Sequence, residues 1–155
     1  MTPAINLAKK HKIAHSVHQY EHDDSAPSYG LEAAQKMAVA PQRIFKTLVV
    51  SLDDASLAVA IIPVETMLSL KAVAKALGAK KAQMADKNAV QRSTGYVLGG
   101  GSPLGQKKRL KTLLDQTAGE FESIFVSAGK RGLEIELSPA DLLKLTQGEN
   151  AQLCQ

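Results

Sequence analysis

The stretch Gly95-Tyr96-Val97-Leu98-Gly99-Gly100-Gly101-Ser102-Pro103-Leu104-Gly105-Gln106-Lys107-Lys108-Arg109-Leu110 constrains this chain more than any other. Four of the 11 glycines fall between positions 99 and 105, with one proline among them. Glycines permit positive φ and let another molecule come close to the main chain. Pro103 stiffens the loop, and three cationic residues follow it. Bare amides beside Lys and Arg suit a carbonyl or phosphate oxygen. The named phosphate motifs do not fit. Gly100 and Gly105 have P-loop spacing, but Gln106 replaces the lysine and Lys107 the hydroxyl residue. Gly99 and Gly101 begin G-x-G-x-x-G, but Leu104 takes the last glycine position. Ser102 is not in G-x-S-x-G, since the next glycine comes one residue late. Two readings stand: a binding surface without a nucleotide fingerprint, or a tight structural connection.

Length and composition narrow the class. At 155 residues and 45% apolar content, the chain fits one folded domain with a real core. No apolar run reaches membrane-spanning length, and the first residues lack the apolar stretch of a signal peptide. The one cysteine, Cys154, leaves no internal disulfide and no cysteine zinc site, which suits the cytoplasm. Its place near the end predicts a mobile thiol and a poor nucleophile. Net charge is +4, and the basic residues cluster at 9–12, 80–81, 107–111 and 130–131. Such clusters favour a polyanion such as RNA, or simply a solvated surface. With 4% aromatics and no tryptophan, the chain lacks the platforms that stack successive bases. A site gripping one small group fits better.

In chain order, Thr2-Pro3 caps a helix ending near His11. Residues 15–21 read as a strand, with His18, Tyr20 and His22 on one face. Histidines 11, 15, 18 and 22 also fit a helical stripe, but no carboxylate or cysteine completes a metal spacing, so no metal is expected. Residues 23–28 are a loop and 31–38 a helix, with a turn at Pro41. Residues 44–52 and 57–62 form a hairpin around Asp53-Asp54. Ser69 caps a helix stopped by Gly78, a short strand spans 80–84, and Asp86 caps a helix to about Ser93. Strands follow at 110–114 and 123–126. Leu133-Glu134-Ile135-Glu136-Leu137 alternates, with apolar residues on one face and glutamates on the other. Ser138-Pro139 caps a helix to about Leu145, and the polar tail from about 147 is expected to fray. The pattern is a single α+β domain on a mixed, curved sheet.

Lys46 stands inside the most apolar strand, sharing a face with Ile44, Leu48 and Val50. A lysine there either uses its charge on a ligand or snorkels its head to water. At this point a resemblance emerges. It is carried by Gln19-Tyr20-Glu21-His22, Phe45-Lys46-Thr47-Leu48-Val49-Val50, Gln91-Arg92-Ser93-Thr94-Gly95-Tyr96, the glycine stretch, and Ser127-Ala128-Gly129-Lys130-Arg131-Gly132-Leu133-Glu134-Ile135-Glu136-Leu137. From about Thr2 to Leu145 the chain resembles the YbaK-type Cys-tRNA(Pro) and Cys-tRNA(Cys) deacylases, relatives of the editing domain inserted in bacterial prolyl-tRNA synthetases.

The resemblance implies a strongly curved, β-barrel-like mixed sheet flanked by helices. It implies clearing of cysteine from mischarged tRNA(Pro), in trans to a prolyl-tRNA synthetase partner and with no cofactor. It implies that Lys46 is the essential lysine and that Gly100 and Gly101 face the aminoacyl ester. Tyr20, Thr47 and Ser127 match pocket residues. Gly99, Ser102 and Pro103 belong to the same loop. Glu134 stands where relatives carry Asp, and Gly101 where they can carry a larger apolar residue. In the family the substrate's own thiol is thought to attack the ester, which suits a chain with no histidine near Ser102 or Ser127 in sequence. Lys107, Lys108, Arg109 and Lys130 are expected on tRNA phosphates. Rival readings are a non-catalytic tRNA- or synthetase-binding module, and a hydrolase of another small ester.

Overall fold

The computed structural model of the chain describes residues 1–25, 29–97 and 100–155, with Tyr29 described by its backbone alone. Part of the loop expected over 23–28, and Gly99, lie outside the described residues. Short polar side chains open the helices as their positions predict. The Thr2 hydroxyl accepts from the Ile5 amide at the start of α1 (Pro3–Lys10). After β1 (His15–Gln19), α2 (Tyr29–Met37) and a 3-10 turn at Pro41–Arg43 comes the hairpin of β2 (Phe45–Leu52) and β3 (Leu57–Pro63). Ser69 caps α3 (Leu70–Ala76), and Asp86 caps α4 (Lys87–Thr94) beyond the short β4 (Ala82–Met84). Next come β5 (Lys111–Asp115), a 3-10 turn at Gln116–Glu120, and the hairpin of β6 (Ile124–Lys130) and β7 (Leu133–Leu137). Ser138 caps α5 (Pro139–Thr146), and β8 (Glu149–Ala151) closes the described elements.

The strands divide into two sheets, which corrects the expectation of one continuous curved sheet. One sheet has the order β1-β7-β6; the other is mixed, with the order β4-β2-β3-β5-β8. A parallel bridge from Ile44 to Phe125 links them. The reason is local: β4 pairs with β2 only at Val50, Ser51 and Leu52, so the upstream part of that edge stays open toward β6. The main core fills the space between the sheets, with Phe45, Val49, Val59 and Ile61 on one side and Val126, Ile135 and Leu137 on the other. The opposite face of the larger sheet, through Val50, Ala60 and Ile62, packs under Val73 and Ala74 of α3. Ala33 and Ala34 of α2 cover Ile44 and Phe125.

The expected frayed tail is a second correction. β8 pairs parallel to β5, and Leu153 is fully buried. The buried Asp115 carboxylate accepts from the Leu153 amide at 2.9 Å and from the Thr117 hydroxyl at 2.7 Å. The Cys154 thiol donates to the Thr66 hydroxyl at 3.3 Å, and burial pushes its pKa up. One buried leucine, worth about 1.5–3 kcal/mol, outweighs the polarity of its neighbours.

Candidate functional site

The open edge of β2 has a consequence for every residue near it. Side chains on a strand alternate between faces, yet Lys46 and Thr47, which point opposite ways, both line one cavity of about 470 Å³. They can do so because the cavity runs along the edge itself. On one side stand Ile44 to Leu48 of β2 and the bridge into it; on the other stand Ser127, Glu134 and the β6–β7 turn at Lys130, Arg131 and Gly132. Gly30 at the start of α2, together with Val64, closes one end, and Tyr20 and Gly101 complete the wall. A Cβ at Gly30 would meet Val64 Cγ1 at 2.2 Å, so α2 sits this close only with glycine there.

Lys46 is half-buried, and among the described residues its ammonium has no ion-pair partner. The Thr47 hydroxyl is buried, and among the described residues it too has no hydrogen-bond partner. An unmade bond of this kind costs about 1–3 kcal/mol. Glu134 pairs in register with Ser127 and is only 8% exposed. Burial raises its carboxyl from 4.5 to about 8, so it is mostly protonated at neutral pH and can donate a hydrogen bond. Tyr20 is set by the hairpin turn, its amide donating to the Gly132 carbonyl at 2.9 Å. Burial first, then the charges of Glu134 and Glu32, push its phenol up to about 12.

The glycine stretch splits into two parts. Its ends are drawn together where the Lys107 and Lys108 amides donate to the Thr94 and Ser93 carbonyls. Within it, Leu104 is fully buried and the Tyr96 hydroxyl donates to its carbonyl at 2.6 Å. Ser102 and Pro103 are buried in this plug and do not line the cavity; the Ser102 hydroxyl accepts from the Leu104 amide. Gly100 packs on the β6–β7 turn, where an added Cβ would sit 3.0 Å from Lys130 Cα. The Ser127 hydroxyl ties the two together, accepting from the Gly129 amide at 3.1 Å and donating to the Gly100 carbonyl at 3.4 Å. Gly101 differs: an added Cβ would meet nothing within 4 Å. The turn itself depends on Gly129, whose φ is +113° and where an added Cβ would sit 2.8 Å from Tyr96 Cε1, so a side chain is excluded.

Tyr20, Lys46, Thr47, Gly101, Ser127, Lys130 and Glu134 therefore meet around one cavity, while Gly100 supports it from behind. Lys107, Lys108 and Arg109 do not join Lys130; with Pro103 they line a separate pocket of about 270 Å³ beside Leu7 and Leu145. Sequence reasoning did not place Gly30, Val64 and Arg131 at the site. Only Arg131 carried a signal, as half of a basic pair.

His18 and His22 serve the framework. His18 Nε2 lies 2.9 Å from Glu136, whose other oxygen accepts from Ser123 and Arg43 at 2.5 and 3.1 Å. His22 Nδ1 lies 2.8 Å from Glu32, which also accepts from the Asp23 amide at 2.7 Å. Burial opposes ionisation of Glu32, but His22, the Asp23 amide and Lys36 outweigh it and hold the carboxyl below its usual value. Among the described residues no group of three or more His, Cys, Asp or Glu is arranged to hold a metal ion. No helix among them is long and apolar enough to cross a membrane.

Comparison with known proteins gives this geometry a class. The chain belongs to the aminoacyl-tRNA editing domain family, whose model matches residues 26–145. EbsC of Enterococcus faecalis, provisionally named a Cys-tRNA(Pro)/Cys-tRNA(Cys) deacylase, is 39% identical over 153 residues, covering 98% of this chain and 92% of that protein. A crystal structure provisionally described as a trans-editing enzyme for prolyl tRNA synthetase superposes with a TM-score of 0.84 at 21% identity, over 99% of this chain and 92% of that one. The crystal structure of a hypothetical protein superposes at 0.86 and 21% identity, over 99% of both chains. These two structures speak for the fold. The family and the relative bear out the resemblance carried by the sequence motifs.

Proposed function

We propose that the chain is a trans-editing aminoacyl-tRNA deacylase that removes cysteine from Cys-tRNA(Pro) and from Cys-tRNA(Cys). The observation that carries the reading is the cavity. An ammonium with no ion-pair partner among the described residues, an orphaned hydroxyl and a buried carboxyl line a space sized for one aminoacyl end. Family membership supplies the substrate class, and the activity after which the relative is named supplies the amino acid.

An aminoacyl ester is already activated, so positioning accounts for most of the required catalysis. The cysteinyl thiol gives up its proton, and its sulfur attacks the ester carbonyl carbon. As the C–S bond forms and the C–O bond to the ribose breaks, the ribose oxygen takes a proton. The products are a cysteine thiolactone, which water later opens, and tRNA with a free hydroxyl. The main-chain amide of Gly101 stabilises the oxyanion, and the open face of Gly101 leaves room for the substrate to reach it; the Gly100 amide is engaged with the Val97 carbonyl at 3.1 Å and holds the loop in place. Lys46 holds the terminal adenosine or the departing oxygen. Glu134 and Tyr20, both protonated, donate to the aminoacyl group. Ser127 keeps the glycine loop against the β6–β7 turn. Lys130 at the cavity, and Lys107, Lys108 and Arg109 in their own pocket, take tRNA phosphates. A prolyl-tRNA synthetase supplies tRNA discrimination, and the work is cytoplasmic.

The test is a panel of charged tRNAs with purified protein. Release of cysteine from Cys-tRNA(Pro), with strong slowing on the serine ester, is expected, since a hydroxyl is the weaker nucleophile. Binding without turnover would make the chain a binding module. Equal rates on cysteine and serine would point to water as the attacking group.

A further inference from the structure

The basic pair Lys80-Lys81 has no part in the cavity or in the Arg109 pocket. It belongs to a third feature. Lys80 and Lys81, together with Lys71 and Lys75 of α3, rim an open groove of about 550 Å³ floored by Leu70, Ala74, Ala79 and Ala82. All four lysines are exposed, and among the described residues no carboxylate lines the groove. Asp53 stands behind it, its Oδ1 accepting from the Lys80 and Lys81 amides at 3.1 and 3.4 Å, which fixes where the two lysines leave the chain. Lys71 and Lys75 are one helical turn apart, a like-charge spacing that weakens a helix unless an anion lies against it.

We propose that this groove is a docking surface for the phosphate backbone of an RNA duplex, the stem of the tRNA whose charged end enters the cavity. The inference rests on the functional reading above. Lysine is depleted at protein–protein contacts, and the floor offers alanines instead of an anchoring pocket for an aromatic residue or arginine. With no aromatic residue lining it, the groove cannot stack bases, so it reads backbone and shape. Its place also fits. Lys46 and Val50 face the same side of the sheet, and Val50 packs in one cluster with Val73, Ala74 and Ala82. Leu52 pairs with Ala82, so the groove lies about 20 Å along β2 from Lys46, at ~3.4 Å per residue.

The test replaces Lys71, Lys75, Lys80 and Lys81 together by alanine, with a four-arginine variant as the charge-keeping control. Uncharged tRNA is titrated at several salt concentrations, and deacylation is followed on Cys-tRNA(Pro) and on the cysteine ester of adenosine. The alanine variant is expected to flatten the slope of log K against log salt by about 3. It should raise KM on Cys-tRNA(Pro) about tenfold, leave cleavage of the adenosine ester unchanged, and be rescued by arginine. Unaltered affinity and slope for tRNA would overturn the proposal. So would intact tRNA binding with loss of binding to polyglutamate, which would make the groove a protein surface. The tRNA titration needs no turnover, so an inactive native protein would refute the deacylase reading and leave the groove's own result standing.

Discussion

Glu134→Gln tests the electrostatics of the cavity in solution. The carboxyl moves from 4.5 to about 8 on folding because it is buried. Between those pH values the folded chain holds a proton that the unfolded chain releases, so stability falls as pH rises and levels off above 8. At about 1.36 kcal/mol per pH unit, the loss approaches 5 kcal/mol. Against a total of about 5–15 kcal/mol for a domain, that is a large share. Glutamine fills the same space without a charge. The variant should match the native protein within about 1 kcal/mol at pH 5 and exceed it by several kcal/mol at pH 9. Urea unfolding followed by circular dichroism from pH 5 to 9 measures the difference, in which other titrating groups cancel. A constant offset between the two proteins across that range would refute the reasoning.

Glu136 should behave oppositely. Burial works against its ionisation, but Ser123, His18 and Arg43 hold its carboxyl below the usual value. Its contribution is therefore present above the unfolded pKa and lost as pH falls through the folded one; Glu136→Gln should flatten the acid limb of the stability profile. Leu153→Ala should cost about 2–5 kcal/mol in urea unfolding, and a negligible effect would restore the frayed tail. Gly101→Ala should leave stability within about 0.5 kcal/mol, because space is open there. Gly100→Ala should cost about 1–3 kcal/mol by pressing on the backbone at Lys130. Equal melting temperatures for the two glycine variants would contradict the division of the loop.

What the sequence made legible was local. Thr2, Ser69, Asp86 and Ser138 cap helices because a short side chain reaches an amide two or three residues on, and the β2–β3 hairpin follows from two apolar runs around Asp53-Asp54. The alternation of residues 133–137 correctly put Glu134 and Glu136 on one face. It could not show that this face borders a cavity at Glu134 and a polar cluster at Glu136. Ser102 sits in a glycine-rich motif, yet Leu104 and Tyr96 pull that half of the loop into the core. β8 depends on β5, more than thirty residues away in sequence, and no local pattern in a polar tail announces such a partner. Gly30, Val64 and Arg131 reach the site the same way, through packing between distant elements.

Deacylation of Cys-tRNA(Pro) by Lys46→Ala, compared with the native protein under single-turnover conditions, measures whether the cavity's ammonium group acts in the reaction. The variant is expected to keep the native circular dichroism spectrum and melting temperature and to lose cysteine release. Native-like release by that variant would mean that the ammonium in the cavity takes no part in the reaction.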